Sequence, residues 1–94
     1  MTERVRRRVV VSGRVQGVFF RDSCQQEAAA AGVAGWVANR RDGRVEACFE
    51  GSPEAVERMV QWCRHGPSRA DVDSVDVSVE EPQGESGFRV GHGR

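Results

Sequence analysis

Ninety-four residues make one domain, 1–94, with no room for a second module, and a chain this short buries only about two-thirds of the surface its unfolded form exposes. Hydrophobic residues at 38% and charged residues at 30% give the balance of an ordinary soluble globular protein, which argues against disorder. A formal net charge of zero weighs against bulk electrostatic binding to nucleic acid or membrane, and no apolar run approaches the ~20 residues of a membrane span.

In chain order, Met1-Thr2-Glu3-Arg4 leads into charge rather than a signal-peptide core, so the cytoplasm is the expected location. Val5 and the run Val9-Val10-Val11 predict a first strand, central in its sheet because alternation is incomplete, and ended by Gly13. The basic run Arg6-Arg7-Arg8 reads as a solvated strand end rather than a nucleic-acid patch. The next stretch, Gly13-Arg14-Val15-Gln16-Gly17-Val18-Phe19-Phe20-Arg21, reads as a strand-to-helix loop. Such a loop is a natural anion cradle: backbone N–H groups converge on one point, the helix dipole adds attraction, and Arg21 supplies a full charge.

Asp22 to Ala31 predicts a helix closed by Gly32, with a small-residue face of Cys24, Ala28 and Ala31 that would lie close to a sheet. A hairpin follows, Trp36 to Arg40 and Arg44 to Glu50, turning at Asp42-Gly43 with positive backbone angles at both positions. In its second arm Val45, Ala47 and Phe49 are expected on the core face, and Arg44, Glu46 and Glu50 on a largely hydrated one. Ser52-Pro53-Glu54 opens a second helix with a buried stripe of Val56, Met59, Val60 and Cys63, stopped by Gly66-Pro67. A loop from Ser68 to Asp73 precedes a half-buried strand carrying Val75, Val77 and Val79; a polar turn from Pro82 to Gly87 leads to a short strand at Phe88-Arg89-Val90, and residues 91–94 read as a loose tail.

This order predicts an α+β, ferredoxin-like βαββαβ sandwich: a mostly antiparallel sheet, two helices on one face, and a short extra C-terminal strand. Cys24, Cys48 and Cys63 lack the close paired spacing of zinc sites and read as reduced and structural. For Trp36 and Trp62, packing is the favoured role over ligand stacking.

The stretch Gly13 to Arg21 resembles the first signature of the acylphosphatases, and Gly35-Trp36-Val37-Ala38-Asn39 with Gly43-Arg44-Val45 and Gly51 resembles their second. The similarity extends from about Val5 to Val90, including Gly66-Pro67 and the late Gly87-x-Phe88. What the resemblance implies is hydrolysis of the carboxyl-phosphate bond of small-molecule acyl phosphates to a carboxylate and inorganic phosphate. It implies no metal, no cofactor and no covalent intermediate. Carried over by position, the backbone of Gln16, Gly17, Val18, Phe19 and Phe20 with Arg21 would bind phosphate, and Asn39 would orient the attacking water. Neither His65 nor His92 falls in a signature segment, which suits a reaction whose carboxylate leaving group needs no strong general acid.

The family often has threonine after the asparagine, whereas Arg40 and Arg41 follow here; they either steer the anionic substrate or form an exposed basic hairpin end. An RNA-binding sheet is the competing class, disfavoured because the chain has no tyrosine, a core-facing Phe49 and zero net charge. The acylphosphatase-like domain of larger carbamoyl-transfer proteins is a third reading, with a free-standing monomeric enzyme preferred. Carbamoyl phosphate, acetyl phosphate and an acylated metabolite all remain admissible substrates.

Overall fold

The structure, a computed structural model, describes residues 3–91. Seven elements follow in order: β1 (Val5–Arg14), α1 (Phe20–Ala31), β2 (Ala34–Asn39), β3 (Val45–Gly51), α2 (Pro53–Cys63), β4 (Asp71–Glu80) and β5 (Phe88–Val90). They form one sheet of order β4-β1-β3-β2-β5, antiparallel except for the β2·β5 pair. This is the ferredoxin-like α+β arrangement expected, with β1 central between β4 and β3. β1 and β2 both run antiparallel to β3, and β3 and β4 both run antiparallel to β1, so α1 and α2 each join two parallel strands as a crossover.

Both helices cover one face. Val9 and Val11 of β1, Val37 of β2, and Val45, Ala47 and Phe49 of β3 meet Phe20, Cys24 and Ala28 of α1 and Val56, Met59, Val60 and Cys63 of α2, all buried. Complete burial of one such valine or methionine side chain contributes roughly 1.5–3 kcal/mol. The predicted helix signals operate: the Ser52 hydroxyl accepts the Ala55 N–H at 3.3 Å, and the Gly32 N–H reaches the Ala28 and Ala29 carbonyls. All three cysteines are free and buried. Burial pushes the Cys48 thiol up to about 11; burial, together with a hydrogen bond to Cys63, raises that of Cys24. Few reactive thiolates exist at neutral pH under those conditions. No helix among the described residues is long and apolar enough to cross a membrane.

Several expectations are corrected. The outer sheet face is not hydrated along β3: Glu46 and Glu50 are buried, because arginines of β1 cover them. Arg6 is accordingly no solvated strand end; at 4% exposure it pairs with Glu50, Glu80 and Glu85, while Arg8 pairs with Glu46. Gly13 does not end β1, which passes through a register shift between Ser12 and Gly13 and runs on to Arg14. β4 starts at Asp71, inside the predicted loop, and Val77 and Val79 lie exposed on this edge strand instead of half-buried. The hairpin does not turn on two positive angles. Only Gly43 is positive, with φ 93°, and the Gly43 N–H bonds to Arg40 O while the Arg40 N–H bonds to Arg44 O. That pattern is a three-residue loop with a glycine bulge, the form favoured when only one residue enters the left-handed region.

Candidate active site

The helix α1 begins two residues earlier than its sequence pattern predicts, at Phe20, and this shift shapes the site. Phe19 is the N-cap, in the left-handed region at φ 65° and ψ 25°, and makes no side-chain capping bond. The first intrahelical bond runs from the Ser23 N–H to Phe19 O at 3.1 Å. Phe20, Arg21 and Asp22 therefore present first-turn N–H groups that have no preceding carbonyl to meet. Gly17, also left-handed at φ 74°, lets the loop fold back over them. The positive end of the helix dipole and the Arg21 guanidinium act on the same space.

That space is a cleft of about 290 Å³ lined by Val15 and Gly17 of the loop, Phe19, Phe20, Arg21 and Asp22 of the helix start, and Asn39 at the end of β2. Sequence-predicted residues far apart in the chain are thus brought together: Gly17, Phe19, Phe20 and Arg21 share one cleft with Asn39. Asn39 shares a sheet face with buried Val37, two residues before it, and so lies on the side where α1 begins. The side chain of Val18 is not in the cleft but in the core, and that of Phe20 is buried with its ring edge-on to Trp62 at 5.1 Å. Gln16 does not line the cleft either.

The Gln16 side chain has a different place. Its Nε2 donates to the carbonyls of Arg40 at 2.7 Å and Arg44 at 2.9 Å, tying the loop to the two residues that close the β2–β3 turn. Arg21 is held as well: its Nη1 donates to the Gly91 carbonyl at 2.8 Å, and the Gly91 N–H donates to Val37 O at 2.7 Å. Sequence reasoning missed both roles, and it wrongly placed Gly91 in a loose tail; the rest of that tail, 92–94, lies outside the described residues. A glutamine in a loop signals neither partner, and Gly91 comes near Arg21 only because β5 adds itself in parallel to β2, a pairing no local pattern encodes. Arg69, from the turn after α2, was also missed; its guanidinium carbon lies 5.9 Å from the centre of the Phe19 ring.

Of the two arginines after Asn39, Arg40 is engaged by Asp42 at 3.1 Å and Glu46 at 3.7 Å, whereas Arg41 is exposed. The Arg44 backbone N–H donates to Asp42 and holds its carboxyl below the ordinary range. His65 does not line the cleft, and His92 lies outside the described residues. Among the described residues no group of three or more His, Cys, Asp or Glu is placed to hold a metal ion. The cleft offers converging N–H donors, one guanidinium and one amide, a set suited to a tetrahedral anion and a polar neighbour.

Comparison with known proteins gives the same direction. A family model described as Acylphosphatase matches residues 7–90. An acylphosphatase of Roseiflexus sp. (strain RS-1) is 54% identical over 91 residues, spanning 96% of this chain and 98% of the relative. The structure of an acylphosphatase from Coxiella burnetii has a TM-score of 0.89 at 36% identity, covering 93% of this chain and 92% of its own. Full-length HypF, in its phosphate- and nucleotide-bound form, matches with a TM-score of 0.91 at 24% identity, covering 99% of this chain and 12% of that one; this last likeness is one of fold.

Proposed function

This chain belongs to the acylphosphatase family and is a hydrolase of acyl phosphates, and from that premise we propose how its cleft performs the reaction. The phosphoryl group sits against the first-turn N–H groups of α1 and the 16–20 backbone, with the Arg21 guanidinium making paired hydrogen bonds to its oxygens. Asn39 accepts from and donates to a water, holding it in line with the scissile bond. The water oxygen forms the new P–O bond as the P–O bond to the acyl group breaks, and the electron pair leaves on the carboxylate. The proton of the water passes to a phosphate oxygen.

A loose phosphoryl transition state places its charge on the equatorial oxygens, so donors fixed before the reaction lower the barrier without an acid or base of matched pKa. The observation that carries this reading is the meeting of Arg21, Asn39 and the uncapped start of α1 in one cleft. Three free buried cysteines support action in a reducing compartment such as the cytoplasm.

The test is phosphate release from acetyl phosphate by Arg21→Gln and Asn39→Ala, with a phosphate monoester as control. Each variant should lose on the order of a thousandfold in kcat/KM, equal to about 4 kcal/mol of transition-state stabilisation, while remaining folded with a cooperative urea transition. Near-normal turnover by a folded Asn39→Ala chain removes the water-positioning role.

A further inference from the structure

Three large hydrophobic side chains are exposed among the described residues: Val77 and Val79 on the edge strand β4, and Phe19, 64% exposed, on the rim of the cleft. Phe19 is out of place twice over. Its backbone is the only non-glycine one with positive φ among the described residues, a conformation that bulky side chains rarely adopt. Its ring also stands in water instead of entering the core, unlike its neighbours Val18 and Phe20. The cradle needs the backbone angle but not the ring; glycine or asparagine would supply that angle with less strain. A strained position occupied by an exposed aromatic ring beside a site points to a use for the ring.

The other apolar side chains lining the cleft, Val15 and Phe20, are buried. With the phosphoryl group in the cradle and water on the Asn39 side, in-line displacement sends the acyl group outward, away from Asn39. The apolar surface that such a group meets at the rim is the Phe19 ring. Arg69 steadies it: a guanidinium 5.9 Å from the ring centre is within cation–π range and limits how the ring turns.

We infer that Phe19, steadied by Arg69, is the residue of this site that meets the acyl group and sets how strongly a planar, apolar acyl group is favoured over a small one. A planar acyl group stacks on or against the edge of the ring, and the area it removes from water adds to binding in a way that an acetyl group cannot match. This rests on the cradle reading above and names the residue that the acyl group meets, which the cradle alone leaves open.

The experiment measures kcat/KM for benzoyl phosphate and for acetyl phosphate with the full chain and takes their ratio, which cancels any general damage to the cradle. The ratio should fall about tenfold in Phe19→Ala, equal to about 1.4 kcal/mol, mainly through KM for benzoyl phosphate, and stay within twofold of the original in Phe19→Tyr. An unchanged ratio in Phe19→Ala overturns the inference however far both rates fall. So does an equal fall of the ratio in Phe19→Tyr, which would assign the effect to the backbone. Failure of the cradle reading is separate and visible: Arg21→Gln would then leave phosphate release from both substrates intact.

Discussion

At the scale of single residues, one side chain outside the cleft ties the loop to the hairpin. The Gln16 amide donates to both carbonyls that close the β2–β3 turn, so the position of Asn39, one residue before that turn, is fixed relative to the cradle. Removing the donors frees the hairpin end while leaving Arg21 on its own tether to Gly91. Each bond contributes about 1 kcal/mol net, so Gln16→Ala should lower kcat about tenfold with little change in KM. Gln16→Glu, nearly isosteric, should do at least as badly, because a carboxylate meets two carbonyls without a proton to offer. A rise in KM with kcat unchanged in either variant would place Gln16 on the phosphate rather than on the hairpin. The glutamine was legible in the sequence as part of the loop, but its partners were not; they lie more than twenty residues on and are backbone carbonyls, which carry no side-chain signature.

At the scale of elements, strand and helix positions were legible because their signals are local: the Ser52-Pro53 start, the Gly32 stop, and the period-two pattern of Val45, Ala47 and Phe49. What local pattern missed was anything decided by a neighbouring strand. The alternation of β3 predicted a hydrated outer face, and the residues there are indeed charged. They are buried because register sets Arg6 opposite Glu50 on one side and opposite Glu80 on the other. Gly35 shows the same dependence on a neighbour. A Cβ at this position would stand 1.9 Å from the Cys48 carbonyl oxygen, and its φ of 135° is closed to other residues. Gly35→Ala should therefore force β2 off β3 and cost about 3 kcal/mol or more. Urea titration measures this; a loss below about 1 kcal/mol would mean that the strand pair yields easily there.

At the scale of the whole molecule, the segment 81–87 crosses from the β4 edge of the sheet to the β5 edge, and Glu50 fastens it. The fully buried Glu50 carboxylate accepts the backbone N–H groups of Gln83 at 2.9 Å, Gly84 at 2.8 Å and Glu85 at 3.3 Å, together with Arg4 at 2.7 Å and Arg6 at 3.0 Å. Burial alone would raise its pKa, but the Gln83 N–H, Arg4, Arg6 and the Gly84 N–H outweigh it and hold the group at about 2 against an ordinary 4.5. Because the folded-state value is the lower one, the stabilisation is fully present above about pH 5 and is lost as pH falls from there through about 2. Stability measured by urea between pH 7 and pH 2 should decline across that window. In Glu50→Gln the decline should be shallower, from a plateau lower by about 3 kcal/mol, since Arg6 loses a buried charge partner. An identical slope in the variant would show that the acid sensitivity resides elsewhere. The fastening also reaches the cleft. The strap delivers β5 to β2, and the residue after β5, Gly91, holds Arg21. Glu50→Gln should accordingly weaken phosphate binding at neutral pH, raising KM for acetyl phosphate, although its carboxylate lies on the opposite face of the sheet from the cleft.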